Sequence, residues 1–195
     1  KDTRYVPLTQ QPYCCVPTCI QMIMLRHNIP LLSAELMASY MAVVVSPKEK
    51  KMFWNLPSSK NRPAHGYGTQ RNEDLTADPM FKKFKIPLKT EFKLIDSFSD
   101  TDELLDYLYK RVKSNKDTIV CYDYSILFKT GGLSGGHACV LDLVDKKKEE
   151  VRFIDPESNV PKWRTVKIGA LYKAMKVHGS KNMGGCWEVD KIKLY

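Results

Sequence analysis

The stretch that decides the fold is QQPYCCVPTCIQMIMLRH, which occupies residues 10–27 of the 195-residue chain. After Cys15 the apolar side chains recur at helical spacing, and Pro17 is tolerated because it falls in the first turn, where a backbone N–H has no helical partner. The stretch therefore predicts a helix over residues 15–27 that begins at a cysteine and has glutamines a few residues upstream. The Cys15 sulfur would then lie near the positive end of the helix dipole.

Two short motifs far downstream carry groups that suit this cysteine. GGHACVLDLV, residues 135–144, predicts a strand that begins at His137, and FIDPE, residues 153–157, places Asp155 at the end of the next strand. Cysteine, histidine and aspartate in this order, with glutamine upstream of the cysteine, are typical of thiol catalysis. The partners in such sites are distant in sequence and meet only in the fold.

The order of the predicted elements indicates an α+β protein. Helices are predicted over residues 15–27, 33–43, 78–85, 100–113 and 166–177, and strands over residues 88–94, 118–124, 137–144, 151–154 and 187–194. Because helices come first and strands later, we expect the cysteine helix to pack on an antiparallel sheet that carries His137 and Asp155. No composition shift or linker divides the chain, so we expect a single domain over residues 1–195.

These residue types suit a defined chemistry. A thiol attacks as thiolate, and both a helix N-terminus and a neighbouring imidazolium favour the thiolate of Cys15. His137 would act first as base and then as acid, and Asp155 would hold the second ring nitrogen and fix its tautomer. The amide of a glutamine upstream, together with the Cys15 backbone N–H, would donate to a developing oxyanion.

Other assignments of the cysteines are weaker. Cys14 competes with Cys15 as the reactive thiol, but Cys14 precedes the predicted helix and Cys15 begins it. A zinc site formed by Cys14, Cys15, Cys19 and a histidine is disfavoured, because adjacent cysteines have poor chelate spacing and no paired CxxC motif occurs. We therefore predict no metal and no cofactor.

Bulk composition restricts the function further. The net charge is +9, yet the lysines fall in separate short runs beside turn-forming or acidic residues, and no nucleic-acid-binding motif accompanies them. Nucleic acid is therefore not the expected partner. No apolar stretch reaches the roughly 18 residues that a membrane span needs.

The cysteines and the first residue bear on the compartment. Three of the six cysteines crowd into one helical turn, which favours reduced thiols over a secreted disulfide framework. We therefore expect a cytoplasmic protein. The chain begins at Lys1 rather than Met, which is what a trimmed chain that has lost a leader would show.

Residues 46–75 form the least regular stretch of the chain and are punctuated by proline and glycine. Long irregular segments beside a cleft commonly gate substrates. We expect Phe53, Trp54, His65 and Tyr67 to offer apolar and stacking contacts to a bound peptide chain. The alternative is a surface loop that is held in place by Phe53 and Trp54 and is unrelated to the site.

The N-terminal motif resembles a known opening. Gln10 followed by CVPT, residues 15–18, is similar to the Gln…Cys-Gly-Pro opening of papain-like peptidases of the bacteriocin-processing, double-glycine-leader type. The downstream motifs GHA, residues 136–138, and IDP, residues 154–156, resemble that family's Gly-His-hydrophobic strand and its Asp-Pro.

This resemblance implies a papain-like fold with Cys15 as nucleophile, His137 as base, Asp155 as orienting acid and Gln10 as oxyanion donor. The sequence departs from the pattern at Val16, where a glycine is usual. The spacing also leaves Gln11 as an alternative to Gln10.

We therefore predict a stand-alone papain-like cysteine hydrolase, most simply a peptidase, that acts on a peptide or protein through an acyl-thioester. An acyltransferase, a transglutaminase-like enzyme or an amidase would use the same residues, with an amine as acceptor in the transferases. An inactive protein-binding module of the same fold is the other alternative. The sequence leaves the cleavage specificity and the oligomeric state open.

Overall fold

The computed structural model describes residues 3–64, 66–70, 77–128 and 135–192. Its helices are α1 Cys15–Arg26, α2 Ala34–Tyr40, α3 Asp78–Lys83, α4 Thr101–Lys113, α5 Tyr124–Phe128 and α6 Ile168–His178. Its strands are β1 Leu88–Leu94, β2 Thr118–Asp123, β3 Gly136–Asp145, β4 Glu150–Ile154, β5 Trp163–Lys167 and β6 Gly185–Lys191. Short 3-10 turns lie at Lys50–Met52, Ile95–Ser97 and Ser180–Asn182.

The ends of the helices follow local chemistry. Helix α1 begins at Cys15 with Cys14 as its N-cap residue, as its sequence predicts. The Asp100 carboxylate caps α4 by accepting from the N–H groups of Asp102 and Glu103, which satisfies two of the donors that a helix start leaves unpaired.

The predicted start of the last helix was wrong. The last helix begins at Ile168, because residues 163–167 form strand β5 instead. This strand lies at the edge of the sheet, and its side chains are half-buried or exposed. This edge strand lacks the alternation of buried and exposed residues that identifies a strand in sequence. Its last residues were therefore assigned to the helix that follows it.

Within the described residues the strands form one antiparallel sheet in the order β1-β6-β2-β3-β4-β5. Successive side chains of a strand point to opposite faces, and β2 shows this clearly. Ile119 and Cys121 join the core that α1 covers, whereas Val120 and Tyr122 join the core that α4 and α6 cover. Helices therefore pack on both faces of the sheet.

The sheet topology brings the predicted site residues together. His137 is the second residue of β3, and Asp155 directly follows the neighbouring strand β4. Helix α1 packs on β3, where the Cys19 thiol lies 3.5 Å from the carbonyl oxygen of Ala138. The N-terminal end of α1 therefore meets the start of β3.

The N-terminal segment is held along the sheet by buried carboxylates. Thr3 Oγ1 donates to Asp142 at 2.8 Å, and the Tyr5 hydroxyl donates to Asp117 at 2.6 Å. Further along, the backbone N–H of Gln10 donates to the carbonyl of Pro156 at 2.9 Å. This last bond ties the segment before α1 to the loop that follows Asp155.

Within the described residues, no helix has both the length and the apolar character needed to cross a membrane.

Candidate active site

A cavity of about 500 Å³ opens between the N-terminal end of α1 and the start of β3. Gln10, Cys15 and His137 all line it. The wall is completed by aromatic, glycine and polar residues that include Tyr13, Arg62, Gly66, Tyr67, Tyr124, Gly135, Glu157 and Trp187. The structure thus brings the predicted nucleophile, base and oxyanion donor to one solvent-accessible cavity.

The surroundings of the three clustered cysteines differ. Cys15 is half-buried and lines the cavity, whereas Cys14 and Cys19 are fully buried. Burial, with the neighbouring Cys15 and Glu35, raises the pKa of the Cys14 thiol to about 12. Burial also raises the pKa of Cys19 well above its usual value. All six cysteines are described and none is in a disulfide, so Cys15 is the thiol of this cluster that a reactant can approach.

His137 is held between an acid and a thiol. Its Nε2 lies 2.7 Å from Oδ1 of Asp155, and it lines the same cavity as Cys15, which interacts with the ring and favours its charged form. Because Nε2 faces the carboxylate, Nδ1 is the nitrogen available to the Cys15 thiol. His137 is 7% exposed and Asp155 is fully buried, so bulk water does not compete for their bond.

The Asp155 carboxylate is fixed from several sides. Besides His137, its Oδ1 accepts from the Glu157 backbone N–H at 2.9 Å, and its Oδ2 accepts from Nη1 of Arg164 at 3.3 Å. Burial alone would raise the pKa of this carboxyl, but the bonds and charges of His137, Glu157 and Arg164 outweigh it and lower the pKa. Asp155 is therefore ionised at neutral pH.

The same balance favours the imidazolium. Burial opposes the charged ring, but its interactions with Cys139, Asp155 and Cys15 outweigh burial and hold the pKa of His137 well above its usual value. Burial raises the pKa of the Cys139 thiol to about 11, so this thiol is neutral at pH 7. The carboxylate of Asp155 is then the negative charge that acts on the ring.

Sequence reasoning missed the residues that support this pair. Arg164 bonds the Tyr124 hydroxyl at 2.8 Å as well as Asp155, and its guanidinium lies 3.2 Å from the centre of the Phe128 ring. The Tyr124 ring stands edge-on to His137, with ring centroids 5.2 Å apart. Arg164 belongs to β5, the strand that the sequence pattern did not reveal.

The two glutamines are placed differently. Gln10 is half-buried and lines the cavity, whereas Gln11 is exposed and is not among the described lining residues. Nε2 of Gln10 donates to Oε2 of Glu157 at 2.9 Å. An amide nitrogen carries two hydrogens, so a second donor remains for a ligand in the cavity.

The irregular stretch contributes one wall of the cavity. Tyr67 lines it, and its ring centroid lies 5.5 Å from that of Tyr13. Phe53 is buried in the core instead, and Trp54 is 90% exposed and is not among the described lining residues. His65 lies outside the described residues. The stretch therefore reaches the site, but through fewer of the predicted side chains.

One group of potential metal ligands overlaps the site. One ligand atom each from His137, Cys139 and Asp155 lies within 4.8 Å of the others. A metal held there would need the Cys139 thiolate, which the raised pKa of this buried thiol disfavours. It would also compete for the contact between His137 and Asp155. The donor set is therefore a poor match for a metal.

Comparison with known proteins agrees with this architecture. A family model described as the Peptidase_C39 like family matches residues 3–181. The chain belongs to this family. A helix that begins at Cys15 and packs on an antiparallel sheet is the papain-like fold of the C39-like peptidases.

Among solved structures, the chain is similar to a protein from Bacillus anthracis that is described as a C39-like peptidase. The TM-score is 0.56 at 17% sequence identity, and the match covers 100% of both chains. At this identity the likeness shows the fold alone. No curated protein sequence matches the chain. Membership of the Peptidase_C39 like family supports a cysteine peptidase-like function.

Proposed function

We propose that this C39-like protein is a papain-like cysteine hydrolase, most simply a peptidase, in which Cys15, His137 and Asp155 act as a catalytic triad. The observation that carries the proposal is the position of His137, which contacts Asp155 through Nε2 and lines the same open cavity as Cys15, whose interaction with the ring favours the imidazolium. Thiol, base and orienting acid in this sequence of contacts form the arrangement that activates a nucleophile.

In the first half-reaction, His137 Nδ1 takes the proton of the Cys15 thiol, and the Cys15 sulfur attacks the substrate carbonyl carbon. The imidazolium then gives this proton to the departing amine as the C–N bond breaks, which leaves an acyl-thioester on Cys15. Asp155 stays ionised and balances the charge of the ring throughout.

In the second half-reaction, water attacks the thioester carbonyl while His137 accepts one of its protons. The C–S bond breaks, the acid product leaves, and the proton returns to the Cys15 sulfur. Both half-reactions pass through a tetrahedral oxyanion, which needs donors that are already in place.

Two donors suit this oxyanion. The backbone N–H of Cys15 lies at the first position of α1, where N–H groups have no intrahelical partner. The second is the remaining N–H of Gln10, which the bonds to Pro156 and Glu157 hold at the cavity wall. Val16, which replaces the usual glycine, is 4% exposed and also lines the cavity, so it narrows this side of the site.

Alkylation by iodoacetamide at about pH 6, below the pKa of a free thiol, tests the nucleophile. We expect rapid labelling of one residue, Cys15, and a rate roughly 100-fold lower in Cys15→Ala, where only ordinary thiols remain. Cys14→Ala is the matched control and should label as the wild type does. Equal labelling rates in Cys15→Ala and wild type would overturn the assignment, and slow labelling of the wild type would favour the inactive binding module.

Acyl transfer shares the first half-reaction, because the thioester forms before the acceptor is chosen. Adding a small primary amine to a peptide-cleavage reaction separates the two outcomes. A hydrolase gives mainly the free acid, whereas a transferase gives mainly the amide of the acyl fragment, and mass spectrometry distinguishes the products.

A further inference from the structure

A second cavity of about 280 Å³ adjoins the first. Both are lined by Arg62, Gly66, Gly135 and Gly136. The two cavities therefore form one groove that passes His137, and Arg62 lies where they meet.

The Arg62 guanidinium lies between two glycines. A methyl group placed on Gly66 would lie 3.5 Å from Nη2 of Arg62, and one placed on Gly135 would lie 3.8 Å from the same nitrogen. Gly66 belongs to the irregular stretch and Gly135 leads into β3, so this side chain reaches from one wall to the other. Both glycines have positive φ angles, of 83° and 111°, which disfavour any larger residue there.

The carbonyls of these glycines already have other donors. Gly66 accepts from Nε2 of Gln70 at 3.2 Å, and Gly135 accepts from the N–H of Tyr124 at 3.0 Å. The N–H groups of Arg62 therefore pack beside Gly66 and Gly135 while the carbonyl oxygens of these glycines accept hydrogen bonds from other residues.

Arg62 is also the only lysine or arginine among the described residues that line the two cavities. The acidic residues that line the two cavities accept hydrogen bonds from residues other than Arg62. Glu157 accepts from Gln10 and Ser158, and Asp123 accepts from Ser125 and Ile126. Glu49 lies 3.4 Å from the Tyr13 hydroxyl. No ion pair joins Arg62 to a carboxylate within the part of the chain that the structure describes.

We propose that Arg62 binds a carboxylate of the substrate in the groove beside Cys15 and His137, so that acidic peptides are preferred. A guanidinium presents several N–H donors in a plane that matches a carboxylate, and such charged bonds are about twice as strong as neutral ones. The carboxylate belongs either to an acidic side chain or to the chain terminus. This inference rests on the proposed function, because it concerns what the same thiol acts on.

Alkylating probes test the site without a known substrate. N-Iodoacetyl-glycine and its amide report a terminal carboxylate, and N-iodoacetyl-glutamate α-amide and its glutamine counterpart report a side-chain carboxylate. In the wild type, we expect at least one acid to alkylate Cys15 faster than its neutral partner. Arg62→Gln should reduce that acid-to-amide ratio about 10-fold, the order expected for one charge-assisted hydrogen bond. The pair that responds identifies the source of the carboxylate.

Two further variants sharpen the result. Arg62→Glu should invert the preference toward the neutral probe, and the wild-type ratio should fall as salt is added. Lys60→Gln is the matched control, because Lys60 is an exposed cation on the same stretch that is not among the described lining residues. It should leave the ratio unchanged.

The outcomes separate the two proposals. Equal acid-to-amide ratios in wild type and Arg62→Gln, for both probe pairs, would overturn the carboxylate site while leaving the thiol assignment intact. Failure of the neutral probes to alkylate Cys15 in the wild type would overturn the proposed function and this inference with it.

Discussion

The histidine–aspartate pairs His137–Asp155 and His27–Asp117 have nearly equal contact distances, and their surroundings differ. His137 contacts Asp155 through Nε2 at 2.7 Å, and His27 contacts Asp117 through Nε2 at 2.6 Å. Both carboxylates are buried. The first pair lies at the cavity wall beside Cys15, whereas the second follows the C-terminal end of α1, where His27 is the C-cap residue.

The partners of the two carboxylates explain the contrast. Asp117 accepts from the Tyr5 hydroxyl at 2.6 Å and pairs with the guanidinium of Arg26 as well as with His27. It therefore joins the N-terminal segment and α1 to the start of β2. Asp155 accepts from Glu157 and Arg164 as well as contacting His137, and that ring lies beside the Cys15 thiol at the cavity wall. A histidine–aspartate contact is thus no signature of catalysis by itself, since the group on the other ring nitrogen decides its use.

The largest expected contrast is between the two histidines. His137→Gln removes the base, so kcat/KM for peptide cleavage should fall by roughly 10⁴-fold, as when a triad member is lost. His27→Gln keeps an amide donor for Asp117. Its kcat/KM per folded molecule should stay within about 3-fold of the wild-type value, because substitutions near the surface and away from the site have small effects. Near-normal turnover by His137→Gln would remove the catalytic interpretation.

The glutamines give the next contrast. Gln10→Ala removes the proposed side-chain donor from the cavity wall and should lower kcat about 10²–10³-fold, the usual cost of one oxyanion donor. Gln11→Ala is the control and should be close to wild type, since Gln11 is exposed. Steady-state kinetics on one peptide substrate measures both variants. A larger loss in Gln11→Ala would transfer the oxyanion role to that residue.

The two aspartates should separate activity from stability. In Asp155→Asn the side-chain oxygen still accepts from His137, so the activity loss should be smaller than the roughly 10²–10⁴-fold contribution of the base itself. Asp117→Asn should retain activity but lose about 3–5 kcal/mol of unfolding free energy. The substitution removes the buried negative charge and leaves the charge of Arg26 without its carboxylate partner. Urea denaturation and kinetics on both variants check this, and a reversed pattern would contradict the comparison.

The pH dependence of stability is the smallest expected effect. The folded-state pKa of His137 is raised, so its contribution to stability is fully present below its unfolded pKa of about 6.5 and is lost as pH rises through the folded pKa. The difference in unfolding free energy between wild type and His137→Gln should therefore shrink from pH 6 to pH 9. The decrease should be about 1.4 kcal/mol for each pH unit that separates the folded pKa from the unfolded one. A difference that grows with pH would contradict the raised pKa.

Local patterns explain how much could be predicted. The helix that begins at Cys15 and strand β1 at residues 88–94 were predicted at their observed starts, because their apolar periodicity is strong and their flanking residues are clear. Strand β5 and helix α5 were missed. Helix α5 directly follows β2 and has only 5 residues, too few for a helical period to register.

The candidate site divides in the same way. Cys15, His137, Asp155 and Gln10 belong to recognisable local motifs, so the sequence pointed to each of them. Arg164, Tyr124 and Arg62 belong to no such motif. Their roles depend on which side chains the sheet register and the irregular stretch bring near them, and contacts of that kind leave no periodic trace in a single sequence.

The sequence by itself determined which residues are the catalytic candidates, their order along the chain and the α+β architecture, because these follow from residue type and short-range periodicity. Only the tertiary structure decided that Cys14 is buried and Cys15 accessible, and that Gln10 rather than Gln11 reaches the cavity. It alone also decided that one histidine–aspartate pair meets a thiol while the other meets Arg26 and Tyr5. Solvent access and pairing depend on contacts between residues that are separated in sequence, by 18 positions for His137 and Asp155, 90 for His27 and Asp117, and 147 for Gln10 and Glu157. The packing of helices on the sheet and the register of its strands settle those contacts.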